Sequence, residues 1–233
     1  MTFDFSTVKE VITLDGTVKK IEDLYGHTLW ELAQTGRVKI SCNNNTSWMI
    51  INGDLYGCGR NFYGQQGNGT SGSGTDVTTF TQRATNVSQV FSTLNTTWYI
   101  TNTGELYGCG RNNNGQQGSG DTTDVTTFTQ KATNVAQINI IDSESWYVTN
   151  TGILYGCGNN NNGQQGSGDT ISVTTFTQRA TNVSQIYVID NATWYVTNTD
   201  EVYGCGNNLY GQQGSGDTIN VTTFIQRYPF PTP

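Results

Sequence analysis

The sequence predicts an all-β protein, a β-propeller-like array of four four-stranded blades behind a short N-terminal β element. Three observations lead there. Trp48, Trp98, Trp146 and Trp194 recur at spacings of 50, 48 and 48 residues, and Cys58, Cys109, Cys157 and Cys205 keep the same phase at 51, 48 and 48. Each unit holds four short runs rich in β-branched and aromatic residues. Beyond Gly36 no apolar stripe of helical period reaches ten residues.

In chain order, residues 1–36 form the N-terminal element, expected to serve attachment or assembly. Residues 37–228 carry the four-repeat propeller-like domain, with blades starting near Val38, Val87, Val135 and Val183, and residues 229–233 are a C-terminal tail. The third unit shows the pattern most plainly. "QINII" from Gln137, "SWYVT" from Ser145 and "VTTFTQ" from Val173 read as strands, and "ILYGCG" from Ile153 as a fourth that glycine shortens. "TNTG" from Thr149 reads as a hairpin turn, with Gly152 free to take positive φ. The first unit is longer because "GNGTSGSGTDV", Gly67–Val77, stands where the second has "GSGDTTDV" from Gly118, a loop extension built of small residues. Four blades leave three routes to closure: a four-bladed ring, a ring completed by the N-terminal segment, or one completed by another subunit.

The run "LYGCGRNNNGQQGSGDT" from Leu106 has near copies from Leu55, Leu154 and Val202. A phosphate-cradling loop would lead into a helix. Here another β segment follows, so the runs read as structural corners. Gly115 and Gly118 would take φ values that other residues avoid, and Gln116 and Gln117 would satisfy the turn's amides and carbonyls.

Only 12% of residues are charged, glycine numbers 28, and the formal net charge is −7. That balance offers no basic footprint for a phosphate backbone, which disfavours nucleic acid as a partner. No apolar stretch approaches membrane-spanning length, so no membrane insertion is expected, and no N-terminal run has the form of a signal peptide. The four phased cysteines read as buried packing thiols and Cys42 as a strand core residue, with neither disulfide nor metal spacing. His27 is the only histidine and lies outside the repeats. Asp121, Asp169 and Asp217 recur in "SGDT" and read as turn caps, since each loop offers one carboxylate where calcium gathers several. Glu105, Glu144 and Glu201 supply no glycosidase pair. No catalytic, cofactor-binding or metal residue is assigned, and the chain is not expected to be an enzyme. The candidate binding surface is where the units differ: Phe62 and Tyr63 in the first and Leu209 and Tyr210 in the fourth, against Asn113, Asn114, Asn161 and Asn162 between them.

The corner run, preceded by "TNTG", resembles the repeat of the regulator-of-chromosome-condensation family. Gly104, Leu106, Tyr107, Gly110, Asn112, Gly115, Gln116, Gly118 and Gly120 occupy that signature's positions, and the likeness runs from about Val38 to Gln226. The resemblance implies a propeller, seven-bladed in typical members, and exchange-factor, ubiquitin-ligase or scaffold roles. The chain departs from the family at Cys58, Cys109, Cys157 and Cys205, where tryptophan is usual. It departs again at Gln66, Gln117, Gln165 and Gln213, where leucine is usual. Trp48, Trp98, Trp146 and Trp194 are expected to restore the lost aromatic volume from an adjacent strand.

A second resemblance concerns "TVKKIEDLYGHTLWELA", Thr17 to Ala33. Val18, Lys19, Ile21, Asp23, Gly26, Leu29 and Trp30 match a short segment of tail-associated proteins of tailed bacteriophages, and Trp30 would be its assembly anchor. This likeness implies a non-enzymatic virion protein of a tail, fibre or baseplate, with a structural or receptor-binding role. Its partners would be other virion proteins, further copies of itself, and a host-surface receptor or glycan. It would reside in the tail-associated part of the virion after assembly in the host cytoplasm. The repeats alone imply the alternative, a propeller scaffold or regulator that binds a cellular protein such as a small GTPase.

Overall fold

The computed structural model describes residues 38–189 and 191–228 in full, and the backbone of three strands before them. Those strands, β1 (Val8–Leu14), β2 (Thr17–Asp23) and β3 (Thr28–Glu31), form one antiparallel sheet in that order. By contact the chain divides into two compact units, Met1–Val38 and Lys39–Pro233. Trp30 lies in β3, paired in register with Ile21. Its proposed anchoring role concerns a side chain outside the described residues, as does His27.

The second unit consists of four four-stranded antiparallel sheets. Blade 1 is β4 (Lys39–Cys42), β5 (Thr46–Ile51), β6 (Asp54–Gly59) and β7 (Val77–Ala84). Blade 2 is β8 (Val87–Ser92), β9 (Thr96–Thr101), β10 (Leu106–Gly110) and β11 (Val125–Ala132). Blade 3 runs through β12 (Val135–Ile141), β13 (Glu144–Thr149), β14 (Leu154–Gly158) and β15 (Val173–Ala180). Blade 4 runs through β16 (Val183–Ile189), β17 (Ala192–Thr197), β18 (Val202–Gly206) and β19 (Val221–Tyr228). Each blade is an up-and-down meander, strand pairing with the next strand in sequence.

Inside a blade the phased tryptophan lies across the glycine opposite it. Trp98 in β9 pairs with Gly108 in β10, and a methyl group on Gly108 would sit 2.5 Å from the indole. The tryptophan therefore fills the space that a side chain on β10 would need, and Gly57, Gly156 and Gly204 hold the same relation to Trp48, Trp146 and Trp194.

Between blades the apolar faces merge into three cores. Trp48, Ile50 and Leu55 of blade 1 pack with Val87 and Tyr99 of blade 2. Trp98, Ile100 and Leu106 of blade 2 meet Val135, Ile138 and Tyr147 of blade 3. Trp146, Val148 and Leu154 of blade 3 meet Val183, Ile186, Val188 and Tyr195 of blade 4. At each seam a phenylalanine from the outer strand of the following blade stands edge-on to the tryptophan: Phe128 on Trp48 at 5.9 Å, Phe176 on Trp98 at 6.1 Å and Phe224 on Trp146 at 6.2 Å.

The first and last blades are not sealed against each other. Ile40 is 71% exposed, whereas Ile138 and Ile186, at the same strand position in blades 3 and 4, are 9% and 6% exposed. The same opening corrects the reading of Cys42 as a core residue. It aligns with Ile140 and Val188, but among the described residues no blade packs on that side of β4, and it is exposed.

Candidate functional site

Antiparallel meanders place the β6–β7 corner and its three counterparts at one end of the strands, with the β4–β5 type of turn. The β5–β6 turns fall at the other end. Blade 2 shows how a corner is held. Asn112 is fully buried, its Oδ1 accepting from the Gln117 amide at 2.8 Å while its Nδ2 donates to the carbonyls of Asp121 and Thr123 at 3.1 and 3.0 Å. Gln116 is the link to the next blade. Its Oε1 accepts from the Asn114 amide at 2.9 Å, and its Nε2 donates to the Asp142 carbonyl in the turn of blade 3, also at 2.9 Å. Gln117 donates to the Cys109 carbonyl at 2.8 Å. Gly118 has φ +65° and faces the Phe176 ring of the following blade, leaving no room for a side chain. The corner is a polar strut locked from inside, as its glutamines and glycines imply.

The acidic repeats act as turn caps. Asp121, Asp169 and Asp217 accept, through Oδ1, from the amides of Thr123, Ile171 and Ile219 at 3.0, 3.1 and 3.1 Å. No group of three His, Cys, Asp or Glu side chains able to hold a metal occurs among the described residues. The thiols of Cys109, Cys157 and Cys205 donate across the seam to the carbonyls of Gln65, Gln116 and Gln164 at 3.5, 3.4 and 3.2 Å. Burial pushes all three thiols upward in pKa, away from the reactive thiolate.

One carboxyl is out of the ordinary. Glu144 is fully buried in blade 3, where blades 1, 2 and 4 carry Thr46, Thr96 and Ala192. Its Oε2 accepts from Trp146 Nε1 at 3.2 Å and its Oε1 from Gln164 Nε2 at 3.4 Å. Burial raises its pKa to about 7 against those two hydrogen bonds. Trp48 and Trp98 have no such carboxylate, and their indole nitrogens find no protein acceptor.

The candidate surface residues lie at the corner end. Phe62, 44% exposed, stands edge-on to Tyr63 at 5.0 Å. Two guanidinium groups close the cluster: Arg60 lies 5.5 Å from the Phe62 ring centre and Arg111, from blade 2, 5.2 Å from that of Tyr63. Leu209 and Tyr210 are 62% and 86% exposed on the blade 4 corner. The structure thus joins Phe62 to Tyr63 and leaves Leu209 and Tyr210 apart from them, three blades away. The two arginines were missed by sequence reasoning. A signal was present, since the positions of Arg60 and Arg111 hold Asn159 and Asn207 in the later blades.

No protein-family model matches the chain, and no curated protein does. In fold the chain is an RCC1-like β-propeller. It superposes on human WBSCR16 with a TM-score of 0.67 at 19% identity, over 84% of this chain and 55% of that one. Prp20p from Saccharomyces cerevisiae gives 0.67 at 15% identity, over 89% and 57%. A structure of Kap60 bound to yeast RCC1 (Prp20) gives 0.68 at 15% identity, over 93% and 55%. The chain spans a little over half the length of these structures.

These likenesses overturn the virion reading. The propeller, which makes up most of the chain, follows the fold of human and yeast proteins, and the tail resemblance rested on one short segment that no family model supports. A tail, fibre or baseplate role does not stand. Nor do virion proteins, a host-surface receptor or a glycan as partners, or a virion location after assembly in the host cytoplasm. A seventeen-residue run can recur by chance (Thr17 to Ala33), whereas a repeated constellation cannot so easily.

Proposed function

We propose that the chain is a non-catalytic propeller scaffold or regulator that binds a cellular protein through its corner-loop face. The observation that carries this reading is the Arg60–Phe62–Tyr63–Arg111 cluster. Aromatic and arginine side chains dominate the energetics of protein interfaces, and here they already rest on one another, on corners held by buried asparagines. Pre-ordering of that kind lowers the entropy lost on binding. Raised thiol pKa values and capped carboxylates offer no activated nucleophile, which fits recognition better than turnover.

The partners named for the similar structures are Gsp1p and histones for Prp20p and Kap60 for yeast RCC1. They belong to those proteins, and indicate the class of ligand to try first, a small GTPase included. The test replaces Tyr63 with a photo-crosslinking phenylalanine and, as a control on the opposite end of the blade, Thr103. One defined protein should crosslink at position 63 and not at 103, and Phe62→Ala should reduce its yield. No crosslinked protein at 63, or equal labelling at both ends, contradicts the reading. If the captured protein is a GTPase, nucleotide release with and without the chain then separates scaffold from exchange factor.

A further inference from the structure

The two open ends are halves of the seam that the chain already makes three times. Each internal seam takes a phenylalanine from one blade and a tryptophan from the blade before it. The count leaves one of each over. Phe80 of blade 1 is 46% exposed. Trp194 of blade 4 is only half-buried and lines a groove of about 380 Å³ with Val202, Gln212 and Gly214.

The backbone repeats the arrangement. The amides of Gly69, Gly120 and Gly168 donate to the carbonyls of Thr126, Thr174 and Thr222 in the following blade at 2.9, 2.8 and 2.8 Å. Gly216 holds the donor's place in blade 4 with nothing within 4 Å of its would-be side chain, and Thr78 holds the acceptor's place in blade 1.

The corner residues carry the match from the fold to this chain's own choice of side chains. Across the first seam Tyr63 meets Arg111. The same two positions hold Asn114 and Asn159 at the second seam, and Asn162 and Asn207 at the third. Where one side is tyrosine the other is arginine; where one is asparagine so is the other. Left without a partner across a seam are Tyr210 on blade 4 and Arg60 on blade 1, whose guanidinium rests on Phe62 of its own blade, again a tyrosine and an arginine.

We propose that a second copy of the chain covers both ends, with Phe80 and Arg60 of each copy seated on Trp194 and Tyr210 of the other. Two sets of four blades then close one ring, within the four to eight blades usual for propellers. The symmetry is two-fold, so both contacts are the same contact made twice. Of the three routes to closure left open by the sequence, this one uses the residues that the first and fourth blades leave unmatched. It needs neither residues 1–36 nor the partner on the corner face.

Native mass spectrometry and sedimentation of the full chain across a hundredfold dilution read the outcome. The expected species has twice the chain mass. Tyr210→Arg sets two guanidinium groups against each other and should weaken the pair at least about tenfold, and adding Arg60→Glu should restore it. Tyr210 is almost wholly exposed, so the fold should survive, as far-UV circular dichroism would report. Phe80→Asp should separate the copies in the same way. A monomer at every concentration, assembly beyond two chains, or a pair indifferent to Tyr210→Arg would each overturn the proposal. Photo-crosslinking at Tyr63 in the Tyr210→Arg variant, which leaves the Arg60–Phe62–Tyr63–Arg111 cluster unchanged, reads partner binding separately, so the two ideas can fail independently.

Discussion

Trp98 and Trp194 hold the same position in their blades and live in different surroundings. Trp98 is fully buried under Phe176 of the next blade; over Trp194 no blade packs among the described residues, and it stays partly open. The local sequence around the two is nearly identical, so the difference comes from the neighbour alone. A blade in this chain is half of two interfaces, and its stability depends on how many of them are made. That is the behaviour of a repeat array, in which intrinsic and nearest-neighbour terms add.

The largest expected effect tests this directly. Trp98→Ala should cost about 3–5 kcal/mol, the usual loss for a fully buried large aromatic. Trp194→Ala should cost about 1–2 kcal/mol in dilute solution, in proportion to its partial burial. Urea unfolding of both variants measures the gap. Equal losses would mean that the blade 4 face is covered in solution even when dilute.

Next in size is a difference among the seams themselves. Glu144 sits in blade 3 where the other blades carry uncharged residues, and its pKa in the fold, about 7, stands above its ordinary value of 4.5. The folded state therefore binds the proton more tightly than the unfolded one. The stabilisation is fully present below pH 4.5 and is lost as pH rises through 7. The loss is about 3 kcal/mol across that window. Glu144→Gln should flatten this dependence and be the more stable form at pH 8. A variant with the same pH profile as the parent would place the titration elsewhere.

A smaller effect separates backbone strain from contact. Gly118 and Gly214 have nearly the same φ, +65° and +64°. A side chain on Gly118 would collide with Phe176 at 2.4 Å, and one on Gly214 meets nothing within 4 Å. Gly214→Ala should cost about 1–2 kcal/mol for the left-handed backbone alone. Gly118→Ala should add about 1–3 kcal/mol of overpacking to that. The smallest change is in thiol labelling. In dilute protein Cys42 should react with a thiol reagent at once, while Cys109, Cys157 and Cys205 should wait for unfolding.

Much of the fold was legible because the repeat writes it four times. The shared phase of tryptophan and cysteine located the blades, and "GQQG" announced corners because no helix follows it. What the sequence could not display was which face meets which neighbour. Cys42 aligns with Ile140 and Val188, yet burial at that position requires a preceding blade, and none packs on β4 among the described residues. The same limit hid the arginines. Phe62 and Tyr63 stood out as departures from Asn113 and Asn114, but the cation–π contact of Arg111 with Tyr63 joins residues 48 positions apart in adjacent blades. The glycine facing each tryptophan was hidden too, since only the strand register sets Gly108 against Trp98.

The central claim is that the ends carry the two halves of a seam already made three times within the chain. Amide hydrogen exchange at Gly216, followed by NMR from dilute to concentrated protein, tests it most directly. The amides of Gly120 and Gly168 donate to Thr174 and Thr222 and should be protected throughout. Gly216 should exchange freely when dilute and approach their protection as concentration rises. A Gly216 amide that stays open at every concentration, or is closed while native mass spectrometry shows a single chain, would contradict the account.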